Sequence, residues 1–338
     1  MVPLALLWGC GAPGPLDSAV APTPTTDSAT QTQVCEIPPD GEWRVLADPV
    51  GSGVLLSAWT IAPQEVLLVG GEPSGQHGTL VHYTPGSLCV EAETLDATLW
   101  WVHGPRDGEW YAVGAGGAIL HHVDGVRTRE DVDTSATLYG VWATEDVVWA
   151  VGGDPFTASS GEVWRRTEGV WSLVLGGIDG IPFKVWDGWI VGDNVGYRID
   201  GELLTAVSQP DRLLTVRGRG PDEVYAVGGV ANALMKTWDG DAWVPSDTSG
   251  LSPPLNGVWT DAGEDLWVAG FSGLTARWTG STWDQPTPPV SLEQFHAVYG
   301  HCDEVLFLGG NLMSGSQNYG SLVRYGAPVP KITPTICP

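Results

Sequence analysis

Four pairs of adjacent acids are the first groups in this chain whose type and spacing could do chemistry: Glu145 with Asp146, Asp222 with Glu223, Glu264 with Asp265, and Asp303 with Glu304. Two carboxylates held in different environments are what a hydrolase needs for a general acid and its partner base or nucleophile. Yet each pair stands just before a short apolar run, at one place in a recurring pattern. A catalytic group is needed once, whereas a residue that returns with the architecture is explained by the architecture. The pairs therefore read as turn caps and solvation. The histidines offer no better case. His121 and His122 are adjacent on a strand, so their side chains point to opposite faces and cannot share a metal. His82 and His122 take the third-strand position that Arg198, Thr237, Arg277 and Arg324 hold elsewhere. No Ser-His-Asp set or Gly-rich phosphate loop can be assembled, and the arginines are scattered. Neither a metal nor a cofactor is expected, and no residue is assigned a catalytic role.

The elements that would position any such group come in seven copies. A glycine closes an apolar run at Gly70, Gly114, Gly152, Gly192, Gly228, Gly270 and Gly309, at steps of 44, 38, 40, 36, 42 and 39 residues. Around each lie four short runs rich in Val, Leu and Trp, bounded by Gly, Asp, Ser or Thr, which supply positive φ or side-chain caps in tight turns. The clearest copy is 255–283, where four runs are joined by turns too short for crossovers, so neighbours pair antiparallel. Its second run, 266–269, is apolar at successive positions, which calls for cover on both faces. A period near 40 with four strands predicts an all-β, seven-bladed β-propeller of four-stranded antiparallel blades spanning 41–326. The seventh unit lacks an outer strand, while the run around Trp43 has no unit of its own. The N-terminal strand is therefore expected to complete the last blade and remove the free sheet edges.

The chain carries 40 acidic against 15 basic side chains, a net charge of −25 that repels phosphate backbones and excludes nucleic acid as a partner. Residues 11–40 are rich in Pro, Thr, Ser and Ala and read as a disordered tether; 327–338 read as a Pro-rich tail. Upstream, Leu7-Trp8-Gly9-Cys10 resembles the lipobox of bacterial lipoproteins. That resemblance implies a signal over 1–10, lipidation of Cys10, and a place in the cell envelope, periplasm-facing or at the cell surface, touching the membrane only through its lipid; a monomer is expected. Four further cysteines, Cys35, Cys89, Cys302 and Cys337, suit disulfides in an exported chain. Spacing leaves three connectivities open; proximity to the seam favours Cys35 with Cys337, leaving Cys89 and Cys302 to pair or stay free.

The repeat itself, as in Gly140-Val141-Trp142 with Val148-Trp149-Ala150-Val151-Gly152, resembles the Trp- and Gly-rich propeller repeats of bacterial envelope lipoproteins. The turn Gly280-Ser281-Thr282-Trp283 is similar to the Asp-box turn of sialidase-type propellers. Neither resemblance names an activity.

What does not recur points to function. The loop between second and third strands is tight in several units but lengthens at 72–77, 154–160 and 311–319, on the face where propellers usually bind. His77, Asp154, Phe156, Asn311, Met313, Gln317, Asn318 and Tyr319 are the expected ligand-binding residues there. The expected role is non-catalytic recognition of a protein or glycan at the envelope. The competing expectation is a hydrolase or lyase acting on carbohydrate at the channel mouth.

Overall fold

The computed structural model describes residues 36–338 except 52, 94, 221, 261–264 and 313–318. The signal expected over 1–10 and all of the tether expected over 11–40 except 36–40, with Cys10 and Cys35, lie outside the described residues, as do Met313, Gln317 and Asn318.

Seven antiparallel sheets follow one another along the chain. Their innermost strands are Val54–Ala62, Leu99–Arg106, Thr137–Ala143, Ile181–Trp186, Leu213–Gly220, Leu255–Thr260 and Phe295–His301, numbered here as blades 1 to 7. Each innermost strand adjoins the next, and that of blade 7 adjoins that of blade 1, so the ring is closed around a central channel. Second strands such as Glu65–Gly71, Leu266–Gly270 and Glu304–Gly310 are buried along almost their whole length, which is why they read as unbroken apolar runs. In blades 1 to 6 tight hairpins join third to fourth strands. At Asp124-Gly125 both central residues have positive φ, the backbone of a type I′ turn that matches strand twist. In the Asp239-Gly240 turn, Asp239 Oδ1 accepts the amides of Asp241 and Ala242 at 2.9 and 2.8 Å.

The last blade closes as expected. Glu42–Val50 pairs antiparallel with Gly320–Gly326, placing Trp43 opposite Tyr325. The Trp43 indole packs 5.0 Å from the Tyr325 ring, 5.1 Å from Phe307 and 5.8 Å from Trp267, so the closing strand anchors itself between blades 6 and 7. At the 7–1 seam, Glu304 and Arg324 form an ion pair whose side chains are 3% and 5% exposed, and Tyr83 of blade 1 donates to Glu304 at 3.0 Å. A pair so buried holds only while both members remain.

The tail does more than trail. The Ile332 amide donates to Leu46 O at 2.8 Å, and Thr335–Ile336 adds a fifth, parallel strand beside Cys89 and Val90 of blade 1. That docking sets Cys337 with its Cα 4.9 Å from that of Cys89, and these two form a disulfide. The expected pairing of Cys35 with Cys337 is thereby corrected: the tail crosses the seam to the outer edge of blade 1. Cys302 is also disulfide-bonded.

Candidate binding site at the channel mouth

The repeating glycine builds the site. Each one faces the innermost strand of its own blade, where an added Cβ would lie 1.8 Å (Gly70) to 2.3 Å (Gly270) from a backbone carbonyl oxygen. Only glycine tolerates that approach. Beside it, every innermost strand carries a β-bulge in the same register, between Leu55 and Ser57 in blade 1 and between Phe295 and Ala297 in blade 7. The extra residues are Leu56, Trp100, Tyr139, Phe183, Leu214, Asn256 and His296. A bulge re-aims one side chain out of the ladder, and all seven of these line one cavity.

That cavity is a funnel of about 300 Å³ opening on the face of the second-to-third-strand loops. Its walls are mostly apolar. The loops contribute Pro155, Phe271 and Leu312, the connections between blades contribute Arg212 and Gln294, and Lys184 forms part of its floor. Trp100 and Phe183 each meet Tyr139 edge-on, at 5.0 and 5.3 Å between ring centroids. His296 donates from Nε2 to Gly310 O at 3.2 Å; burial first, then the Lys184 charge, holds its pKa down at about 4, so it is a neutral imidazole near pH 7. Lys184 donates to Tyr139 O at 2.5 Å, its ammonium 4.2 Å from the centre of the Trp101 ring, and burial pushes it down to about 7.

Three residues beyond each bulge the same strands close the channel. Trp59, His103, Trp142, Trp186, Arg217, Trp259 and Tyr299, one per blade, leave a void of only about 30 Å³. His103 lies 4.0 Å from both Trp59 and Trp142, Trp142 meets Trp186 at 5.7 Å, and the Arg217 guanidinium sits 6.0 Å from the Trp186 ring. The Ala143 amide donates to His103 Nδ1 at 3.0 Å, which fixes the imidazole tautomer; burial holds its pKa well below 6.5. Trp59, Trp186 and Trp259 each lie over a glycine of the following blade: Gly104, Gly218 and Gly300.

The expected loop residues distribute unevenly. Loops 154–160 and 311–319 reach the funnel rim through Pro155 and Leu312. Phe156 stands 96% exposed beside the first of them. Asp154 shapes its own loop, accepting the Phe156 amide at 2.9 Å and the Thr157 hydroxyl at 2.6 Å, bonds that also lower its pKa. Asn311 is half-buried, and Tyr319 donates to Glu293 at 3.3 Å. His77 is exposed on a loop that turns toward blade 2, where Thr98 binds the carbonyls of Glu72 and His77, and no residue of 72–77 lines the funnel. Exposed Val230 (80%) and Leu292 (79%) lie on loops that open on this same face.

Glu264 lies outside the described residues, and among the described residues the acid pairs do not converge. Asp265 pairs with Arg277 at 2.9 Å and Glu304 with Arg324, each inside its own blade, while Glu145, Asp146 and Asp303 are exposed. The outer histidines are held structurally: His82 bridges Glu65 at 2.6 Å and Glu91 at 2.9 Å, and its blade 2 counterpart is His121, between Glu130 at 2.9 Å and Glu109 at 3.3 Å. The register thus pairs His82 with His121 rather than His122. Sequence reasoning missed the seven bulge residues; they stand 9 to 14 positions before the closing glycines, with no constant spacing to mark them.

No protein-family model matches the chain, and no curated protein sequence does. Among solved structures it is similar to YCF48 bound to D1 peptide (TM-score 0.64, 16% identity, 87% of this chain and 100% of that one). It is also similar to YCF48 from Cyanidioschyzon merolae (0.60, 13%, 85% and 99%) and to the WD40 β-propeller domain of Doa1 (0.58, 10%, 84% and 97%). At these identities the likeness establishes the fold, a β-propeller.

Proposed function

We propose that this protein is a recognition module that takes an extended segment of a protein partner across the funnel face, with an apolar side chain seated in the funnel. The observation that carries this reading is the set of seven bulges, which spend one residue per blade to line a single cavity open at one end only. Apolar walls with a few convergent polar groups are what a binding pocket requires. Phe156, Val230 and Leu292 add exposed anchors around it, and aromatic anchors carry much of the energy of an interface. A structural neighbour bound to a peptide supports the same class of partner. Loops 154–160 and 311–319, with Asp154, Phe156, Asn311, Met313, Gln317, Asn318 and Tyr319, would form the rim; His77 falls to its periphery. A hydrolase acting on carbohydrate would need two carboxylates at the mouth, and the described residues lining the funnel include none.

We further propose that the module acts as a monomer, lipidated at Cys10 and displayed at a bacterial envelope. The lipobox-like Leu7-Trp8-Gly9-Cys10 supports this, and the Cys89–Cys337 disulfide suits an oxidising compartment. The test is selection of peptides and glycans on the full chain, followed by Phe183→Ala and Phe156→Ala. Peptides selected on the wild type should lose tenfold or more in affinity with either variant; ligands indifferent to both changes, or glycans alone, would overturn the reading.

A further inference from the structure

Lys184 follows the bulge residue of blade 4. The same position in the other blades is Ser57, Trp101, Gly140, Thr215, Gly257 and Ala297, so the architecture has no need of an amine there. Its contacts are the Tyr139 carbonyl and the Trp101 face, and the residue is 8% exposed. Burial alone accounts for its depressed pKa, with no carboxylate drawing it back up. A methionine would fill the space without the penalty of burying a charge. The amine sits on the floor of an apolar funnel whose mouth also carries the cation Arg212, in a protein whose net charge is −25.

We propose that the funnel takes the carboxylate of an otherwise apolar ligand, which pairs with the Lys184 ammonium while its apolar body lies against Leu56, Trp100, Tyr139 and Phe183. This rests on the funnel being the recognition site and names the group it recognises. The chemistry is shared by a small aryl or alkyl carboxylic acid and by a peptide ending in a free carboxylate.

The groups facing the amine leave it as the one that titrates near neutrality. Burial pushes the Tyr139 hydroxyl above its usual value of 10, the His296 imidazole is neutral above about pH 4, and an arginine such as Arg212 stays charged. Asp154 and Asp193 lie out on the rim, the latter 4.0 Å from Arg212. Carboxylate binding above pH 7 must therefore draw in a proton, and affinity should fall up to tenfold per pH unit there while staying flat below.

The experiment is calorimetric titration of the full chain with 3-phenylpropionate and with 3-phenylpropionamide, at pH 6 and pH 8.5. The same is done with one phenylalanine-terminated peptide as free acid and as amide, which tells a small acid from a chain terminus. Expected are at least tenfold tighter binding of an acid than of its amide at pH 6, loss of that difference in Lys184→Met and Lys184→Gln with the amide affinity retained, and the fall above pH 7. Equal affinities for acid and amide, an acid preference that survives both substitutions, or no binding of any of the four probes would overturn the proposal. Peptides lost in Phe183→Ala yet bound equally as acid and amide would remove the carboxylate and leave the funnel as the recognition site.

Discussion

The two ends of the central channel are built from the same seven strands, three residues apart, and differ in what repeats. At the closed end the residues are Trp, His, Trp, Trp, Arg, Trp and Tyr, large planar groups stacked on one another and on glycines of the next blade. At the open end they are Leu, Trp, Tyr, Phe, Leu, Asn and His, held out by bulges around a cavity some tenfold larger, about 300 against 30 Å³. The closed end follows the repeat because it is structure. The open end departs from it because nothing in the packing dictates its side chains.

The comparison can be broken most strongly at the plug. Trp186→Ala removes a ring packed against Trp142, Arg217 and Gly218 and should cost about 4 kcal/mol in urea unfolding, as a buried Trp→Ala change does. Next comes the device that makes the bulges. Gly192→Ala puts a Cβ 1.9 Å from Ile181 O, and the forced shift should cost about 3 kcal/mol in the same measurement.

Titration sharpens the contrast. His103 in the plug and His296 in the funnel are held neutral below their ordinary value of 6.5. The unfolded chain binds the extra protons, so stability is full above pH 6.5 and falls as pH drops, by up to about 1.4 kcal/mol per unit for each group. His82, raised by Glu91 and Glu65, acts in the opposite sense: its contribution is complete below 6.5 and is lost as pH rises through its folded value. Unfolding free energies from pH 5 to 8 should show the acid-side loss shrink in His103→Gln and the alkaline-side loss shrink in His82→Gln. The smallest effect on stability belongs to the funnel. Phe183→Ala, at a half-buried wall, should cost about 1 kcal/mol or less while abolishing partner binding.

Much of this architecture is legible in the sequence because glycine at the close of the second strand is sterically obligatory: the period of Gly70 to Gly309 counts the blades. Trp43 announced the closing strand for a similar reason, as its ring has no partner except in another unit's blade. The bulges were hidden. A bulge shows only once both strands are in register, and in Leu55-Leu56-Ser57 nothing marks the middle residue as the one turned inward. Lys184 carried no signal in the sequence, since its burial depends on contacts with other blades, the Trp101 ring and the Tyr139 carbonyl. The Cys337 pairing was hidden because a Pro-rich tail has no periodicity, and its path is fixed by two ladder positions and one main-chain hydrogen bond to Leu46.

The most direct test of the central claim is the amide hydrogen-exchange footprint of a peptide selected on the wild-type chain. A binding face at the open end predicts slowed exchange in loop 154–160, at Leu312 and Tyr319, and in the amides around the seven bulges, with no change at the opposite turns. Protection confined to those opposite turns, around Asp107, Glu145, Asp146 and Asp303, would contradict it.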